Sequence, residues 1–338
     1  MKRILVTGSA GFIGFHLSKK LLDAGFAVVG VDNLNDYYDV NLKGGRLTIL
    51  EAYDRFTFYK ADVSHKETIM DIFEENDFET VIHLAAQAGV RYSLIDPDSY
   101  VSSNLVGFAT ILEGCRHFSI KHLIFASSSS VYGGNKEIPF SVNHNVDHPQ
   151  SLYAATKKSN ELMAHAYASL FNLPCTGLRF FTVYGPWGRP DMAYFLFARA
   201  LFEGNPIDVY NYGKMKRDFT YIDDIVGSII RLIEKIPAVD PDSKGGGVKA
   251  GSSLVPYKIY NIGGSTPIDL ERFIEILEQC TGRKAQKNLL PMQPGDMLET
   301  YADVHDLEEA IGYAPTVKIE EGLKRFVEWY REYYGIQH

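Results

Sequence analysis

The chain has 338 residues, 46% hydrophobic, 22% charged and 13% aromatic, enough to bury a sizeable core in one large domain or two and unlike a disordered or fibrous protein. The net charge is −8 and no run of Lys or Arg suits a phosphate backbone, so nucleic acid is excluded as an expected partner. Cys115, Cys175 and Cys280 are odd in number and far apart, which fits free thiols in a reducing compartment, and no apolar run approaches the roughly 18 residues of a membrane span. With only "ILVTG" as an apolar run behind Met1-Lys2-Arg3, no signal peptide is expected, and the chain reads as cytoplasmic, without membrane contact.

In chain order, short β-branched runs alternate with segments of helical period. "RILVTG", "AVVGVDN", "FTFYKADV", "TVIHLAA", "HLIFASS" and "CTGLRFF" are the expected strands; "GFHLSKKLLDAG" and "ETIMDIFEEN" are helices between them. This repetition predicts an α/β fold with a doubly wound parallel sheet covered on both faces. Beyond Gly185 the alternation becomes less regular. Pro237 to Tyr257 has the Gly, Ser, Pro and charge content of a flexible surface loop, "KIYNIGG" then resumes a strand pattern, and two amphipathic helices follow, "DLERFIEILEQCTG" and "IEEGLKRFVEWYREYYG". No internal repeat is evident.

The first strand runs into "TGSAGFIG", with Gly8, Gly11 and Gly14 opening a helix. Glycines there let the backbone turn tightly and approach a pyrophosphate, whose charge meets the free N–H groups of the helix start. Turns alone could account for such a pattern, and its place between strand and helix is what raises it. Asp32, at the end of the second strand, lies where an acid accepts from both ribose hydroxyls and repels a 2′-phosphate, favouring NAD over NADP; taken alone it is also a plausible turn residue. Asp62 after the third strand and "HLAA", with Leu84, Ala85 and Ala86, after the fourth add ground for a dinucleotide across the strand ends.

At the end of the fifth strand stand four serines, Ser127 to Ser130, followed by the helix pattern "SLYAATKKSNELMAHAYASLF", in which Tyr153 and Lys157 lie one turn apart on one face. A phenol with a pKa near 10 is a poor base at neutrality. The Lys157 ammonium and an oxidised nicotinamide ring would favour its phenolate, and Tyr153 would then serve as a general base for a sugar or alcohol hydroxyl, with Ser128 bonding the same group. The plainer reading of the serines is a strand-end turn bonding local backbone.

The glycine turn, Asp32, Ser128 and the YxxxK pair resemble the extended short-chain dehydrogenase/reductase family across nearly the whole chain. That resemblance implies a Rossmann-type NAD-binding domain over residues 1–180, with later segments returning to it. It also implies a smaller mixed α/β substrate domain over 181–338 that holds a nucleotide sugar. Phe12, Ile13, Asn33 and Val63 join the implied NAD contacts, and Tyr153, Lys157 and Ser128 match the catalytic Tyr, Lys and Ser/Thr. Within the family, "AAQAGVRYSL", "ASSSSVYG", "LRFFTVYGPWGRPDMA", "RDFTYIDDIV" and "PGDMLETYAD" are most similar to the branch that epimerises UDP-glucuronate at C4. The expected activity is NAD-dependent C4 epimerisation through a 4-keto sugar. Related nucleotide-sugar 4-epimerases or a UDP-glucuronate decarboxylase are the alternatives, and a non-catalytic NAD-binding protein is a rival of another class.

Dehydratases and decarboxylases resemble "TDEVYG" and "TSEVYG" in the serine loop, whereas this chain carries Ser129 and Ser130 at the acidic positions. These hydroxyls, with Thr182, are expected to hold the uronate carboxylate and restrain its loss. Arg189 and Arg217 resemble diphosphate contacts; Arg91 is assigned equally to substrate or to packing, and Gln293 stands where UDP-galactose 4-epimerases carry an arginine. The resemblance further implies a homodimer through two helices of the cofactor domain. The histidines show no ligand-type cluster, and no metal is expected.

Overall fold

A computed structural model describes residues 3–238, 251, 253–293 and 297–337. Seven parallel strands form the central sheet. They are β1 (Arg3–Thr7), β2 (Ala27–Asp32), β3 (Phe56–Lys60), β4 (Thr80–His83), β5 (His122–Ser128), β6 (Cys175–Phe180) and β10 (Tyr257–Ile262). Their order is β3-β2-β1-β4-β5-β6-β10, so the chain reverses direction across the sheet between β1 and β4. In an open parallel sheet that reversal leaves a crevice at the carboxyl ends of the strands, where ligands bind.

One face is covered by helices α3 (Lys66–Glu75), α5 (Gly107–His117) and α6 (Leu152–Phe171), packed through Ile69, Phe73, Phe108, Ile111 and Ala164. The other is covered by α1 (Phe12–Asp23), whose Phe15, Leu17 and Leu21 belong to a core continuous with the C-terminal region. That region supplies α7 (Ala193–Glu203), α8 (Ile222–Leu232), which packs on α1, and the C-terminal helices α9 (Leu270–Thr281), α10 (His305–Ile311) and α11 (Ile319–Tyr334). A small sheet joins β7 (Thr182–Tyr184), β9 (Lys216–Tyr221) and β11 (Pro267–Asp269), and a two-stranded one joins β8 (Ile207–Val209) to β12 (Lys287–Leu289). The six strands read from the sequence all form, and "KIYNIGG" supplies the seventh.

Helix α2 (Val40–Glu51) escaped the pattern because Gly44 and Gly45 interrupt its apolar spacing. Of the surface loop expected over 237–257, residues 239–250 and 252 lie outside the described residues. The described Gly251 is tied in, its carbonyl accepting from Ile259 N at 2.9 Å.

Helix α6 is pinned where it matters. Ser151 caps its start by accepting from Ala154 N at 3.1 Å, and Glu161, two turns after Tyr153, lies 2% exposed against Arg179 of β6. Arg179 Nε and Nη2 donate to the two Glu161 oxygens at 2.8 and 2.9 Å, and Ser127 Oγ donates to Oε1 at 2.6 Å. The same guanidinium donates to Tyr132 Oη at 3.1 Å, and Tyr132 donates in turn to Asn261 Oδ1 at 2.6 Å. Removing one partner of such a pair leaves the other buried without compensation, which costs about 3–5 kcal/mol. Arg179→Met should therefore lower the unfolding free energy by about that amount in urea denaturation, whereas Arg179→Met combined with Glu161→Leu should recover much of the loss.

Candidate active site

The crevice at the strand ends opens into a cavity of about 1070 Å³, at the upper end of what small-ligand sites span. Gly8, Gly11, Phe12, Ile13 and Gly14 line one part of it. The first turn of α1 carries no side-chain cap, so its N–H groups remain for a ligand. The glycines are there because nothing larger fits: Gly8 holds φ +72°, a Cβ on it would lie 2.8 Å from Ala85 N, and one on Gly14 would lie 2.0 Å from Gly8 O.

Asp32 closes this end of the cavity. Its carboxylate accepts from Ala10 N at 3.2 Å and Leu34 N at 2.9 Å, with Lys43 Nζ at 4.0 Å. Lys43 is buried and donates to Asn35 O and Oδ1 at 2.9 and 2.7 Å; burial lowers its pKa, with Asp32 working the other way. A pyrophosphate has bare N–H groups to meet and a ribose diol has an acid, so these residues fit a dinucleotide. Asn33, Val63, Leu84, Ala85 and Ala86 also line the cavity.

Asp62 is the one expected cofactor residue outside the lining. It accepts from Ser64 N and Oγ at 2.9 and 2.7 Å and from Asn33 Nδ2 at 2.8 Å. Burial pushes its pKa up, but these donors outweigh that and hold it below the usual carboxylate value. Its place is behind Asn33, which does reach the cavity.

At the inner end stand Tyr153, Lys157 and Ser128. Lys157 is 2% exposed, and its Nζ donates to Ala126 O at 3.0 Å. Burial lowers its pKa to about 8. Tyr153 is raised above 10 by burial, while a hydrogen bond with Ser128 and the charge of Arg189 pull the other way. Arg189 is thus a cation bearing on the tyrosine that the helix spacing did not point to. Lys157 spends its ammonium on a strand carbonyl. Beneath it, His83 Nδ1 lies 2.8 Å from Thr7 Oγ1; burial, and then the Lys157 charge, depress its pKa to about 3 and keep the ring neutral.

Ser129, Ser130, Thr182, Arg189, Arg217 and Arg91 all line the same cavity. Ser127, although it also reaches the lining, spends its hydroxyl on Glu161. Arg189 forms a two-pronged pair with Asp191, at 3.0 and 2.5 Å, and Tyr37 Oη donates to the same carboxylate at 3.1 Å. Arg217 Nη1 donates to Lys216 O at 2.9 Å, and the Arg91 guanidinium lies 5.0 Å from the centre of the Tyr210 ring.

Sequence reading missed Lys43, Tyr37, Asp191 and Asn104. Asn104 sits in a π-helical turn, Val101–Val106, that follows the short helix α4 (Pro97–Tyr100); there it accepts from Gln87 N at 2.8 Å and donates to Thr156 Oγ1 at 3.1 Å, tying the loop after β4 to α6. A wide helical turn has no sequence signature, whereas the "RPD" spacing of Arg189 and Asp191 could have suggested their pairing. Among the described residues no group of three or more His, Cys, Asp or Glu could hold a metal ion, and no helix is long and apolar enough to cross a membrane.

A protein that seats a dinucleotide against a buried tyrosine and lysine is built to move a hydride and a proton together, which places it among the short-chain dehydrogenase-type enzymes. The chain belongs to the NAD dependent epimerase/dehydratase family, whose sequence profile matches residues 4–263. A probable UDP-glucuronate 4-epimerase of Rhizobium meliloti is 49% identical over 339 residues, covering 99% of each chain. The protein CapI of Staphylococcus aureus is 54% identical over 98% of this chain and 99% of its own. The crystal structure of UDP-glucuronic acid 4-epimerase from Bacillus cereus, in complex with UDP-glucuronic acid and NAD, superposes with a TM-score of 0.86 at 34% identity, covering 98% of this chain and all of that one.

The depressed Lys157 pKa makes a prediction about stability. Its folded value of about 8 lies below the ordinary 10.5, so between these values the unfolded chain binds more protons and stability rises with pH. The burial penalty is thus complete below about pH 8 and fades as pH rises toward 10.5. Denaturation of the dinucleotide-free protein should show Lys157→Met gaining most over wild type near pH 7, with the gap narrowing by pH 9.5.

Proposed function

We propose that this protein is an NAD-dependent UDP-glucuronate 4-epimerase, interconverting UDP-glucuronate and UDP-galacturonate through a 4-keto sugar. The observation that carries it is one cavity joining Tyr153, Lys157 and Ser128 to the neutral hydroxyls of Ser129, Ser130 and Thr182. The relatives named for this reaction add support. Bound in the glycine cradle, NAD supplies a hydride acceptor that later returns what it took, and in its oxidised form a positive ring charge. Gly8, Gly11, Phe12, Ile13 and Gly14, with Asp32, Asn33, Val63 and Leu84 to Ala86, would hold it, and Asp62 would act through Asn33.

Tyr153 Oη takes the proton of the sugar O4 as the ketone forms, and hands it back when the alcohol is restored. Burial alone would make the phenol too weak an acid for this. The Ser128 hydroxyl and the charge of Arg189 favour its ionised form, and in this reading Lys157, one helical turn away, and the positive ring of bound NAD would add to them. Ser128 also orients the hydroxyl that reacts.

The ketone formed beside a carboxylate is a β-keto acid, prone to lose CO₂. Ser129, Ser130 and Thr182 solvate that carboxylate without adding a second negative charge. Arg217 and Arg91 take the diphosphate end, and Arg189, which the resemblance put at the diphosphate, is assigned instead to the sugar because its charge reaches Tyr153.

The active form is a homodimer in this reading. The exposed apolar side chains Val106 of the π-turn and Leu162 and Leu170 of α6 supply the surface for it. The buried free thiols Cys115 and Cys175 suit a cytoplasmic enzyme.

Incubation of the purified protein with UDP-glucuronate should yield UDP-galacturonate with no net NADH; a pentose product or released CO₂ would instead assign a decarboxylase. Tyr153→Phe should cut turnover by about 10²–10⁴-fold. Ser130→Glu should weaken uronate binding and increase pentose product, and an unchanged product ratio and affinity would remove Ser130 from its role.

A further inference from the structure

Arg46, on α2, belongs to none of the motifs above, yet its side chain is wholly buried beside the cofactor cradle. Its four hydrogen bonds all go to carbonyl or hydroxyl oxygens. Nη1 donates to Ala10 O, inside the glycine turn, and to Tyr38 Oη, both at 2.8 Å. Nη2 donates to Trp187 O at 2.7 Å and Gly188 O at 3.2 Å, the two residues that precede Arg189. Helix α1 adds a third tether, His16 Nε2 at 2.9 Å from Pro186 O, so the ring carries its proton there. Three successive carbonyls of one strap are therefore held by side chains of the cofactor-binding region.

The strap needs holding. Trp187 sits at φ +58°, a left-handed conformation that bulky residues rarely adopt unless their surroundings enforce it. Its ring is wedged 5.7 Å from Phe15, 5.4 Å from Trp329 and 5.0 Å from Tyr333. Gly188 is equally constrained, since a Cβ there would lie 1.9 Å from Tyr194 Oη. The next residue is Arg189, whose own N–H donates to that Tyr194 oxygen at 3.2 Å.

We propose that Arg46 is a positioning residue that couples the seating of the dinucleotide to the placement of Arg189 against the sugar. One guanidinium grips the glycine turn with one nitrogen and the strap with the other, so movement of either segment is felt by the other. This rests on the proposed substrate. A lysine keeps the charge but, as a point donor, cannot bridge the turn and both strap carbonyls at once, so Arg46→Lys separates the fork from the charge.

The test uses the NAD-loaded Tyr153→Phe protein as parent, whose slowed turnover lets UDP-glucuronate binding be read, with affinity measured by calorimetry and bound NAD by its retention through gel filtration. Arg46→Lys should weaken UDP-glucuronate binding about tenfold, the loss expected when a hydrogen bond to a charged group is broken, and should shed NAD faster. In an Arg189→Met background the same change should cost less than about twofold, because the strap then has no arginine to place. An unchanged affinity, or an equal loss in both backgrounds, overturns the proposal, the second outcome marking Arg46 as purely structural. Should Arg46→Lys fail to fold, His16→Ala, which cuts only the Pro186 tether, must show the same dependence on Arg189, and additive losses would overturn it. A parent that binds UDP-glucuronate no better than UDP tells against the substrate; the coupling then stands or falls on whether Arg46→Lys sheds NAD faster.

Discussion

The buried pair of Arg179 and Glu161 is the constraint on which the site depends. Tyr153, Lys157 and Glu161 recur every four residues on α6, so a helix held at Glu161 is held in rotation and in depth at the other two. Arg179 belongs to β6, and in register it stands beside Ser127 of β5, which donates to the same carboxylate. The strand that ends in the serine cluster and the helix that carries the tyrosine are thereby locked together by one ionic and hydrogen-bonded knot. A buried pair of this kind stabilises little compared with apolar side chains of the same volume. Its value here is geometric, because general acid–base chemistry fails when donor and acceptor drift by an ångström.

The site was legible in the sequence where its logic is local. The glycine turn follows directly from a strand and opens a helix, Asp32 ends the next strand, and Tyr153 and Lys157 are spaced by one helical turn; in each case period and neighbour define the place on the cavity wall. What stayed hidden depends on contacts distant in sequence. Arg46 reads as an ordinary helix cation, and only folding brings Trp187 O within 2.7 Å of it. Asn104 looks like a polar residue on a helix until the wide turn and Thr156 give it a partner. Asp62 shows the converse: its position after the third strand points to the cofactor, yet its side chain faces its own loop, where Ser64 and Asn33 donate to it.

The four serines illustrate how one short stretch divides its labour. Ser127 is structural and serves Glu161, while Ser128 lowers the pKa of the tyrosine and accepts from Ser130 N at 3.2 Å, shaping the turn that follows. Ser129 and Ser130 are left half-buried on the cavity wall. With the uronate placed as proposed, a carboxylate at either place would meet the substrate's own carboxylate across a medium of low dielectric, where repulsion between like charges is strong.

Inverting a stereocentre with a single hydride carrier demands opposite things of two parts of the cavity. The ketone must turn to show its other face, so the sugar end needs room and no rigid clamp; the nucleotide must stay, so the far end needs strong anchors. The cavity of about 1070 Å³ runs from the glycine cradle to the sugar end and has to house dinucleotide and sugar together, and in the proposed reading neutral hydroxyls on its wall hold a carboxylate without fixing it as an ion pair would. As the proton carrier proposed above, Tyr153 sits on a pinned helix and so would have to reach O4 in both orientations. A fixed proton carrier and a swinging ketone are compatible only if O4 lies near the axis of the swing. In the proposed reading the anchors at the diphosphate end, Arg217 and Arg91, and the placement of Arg189 beside the tyrosine are therefore as much a part of the stereochemistry as the tyrosine that moves the proton.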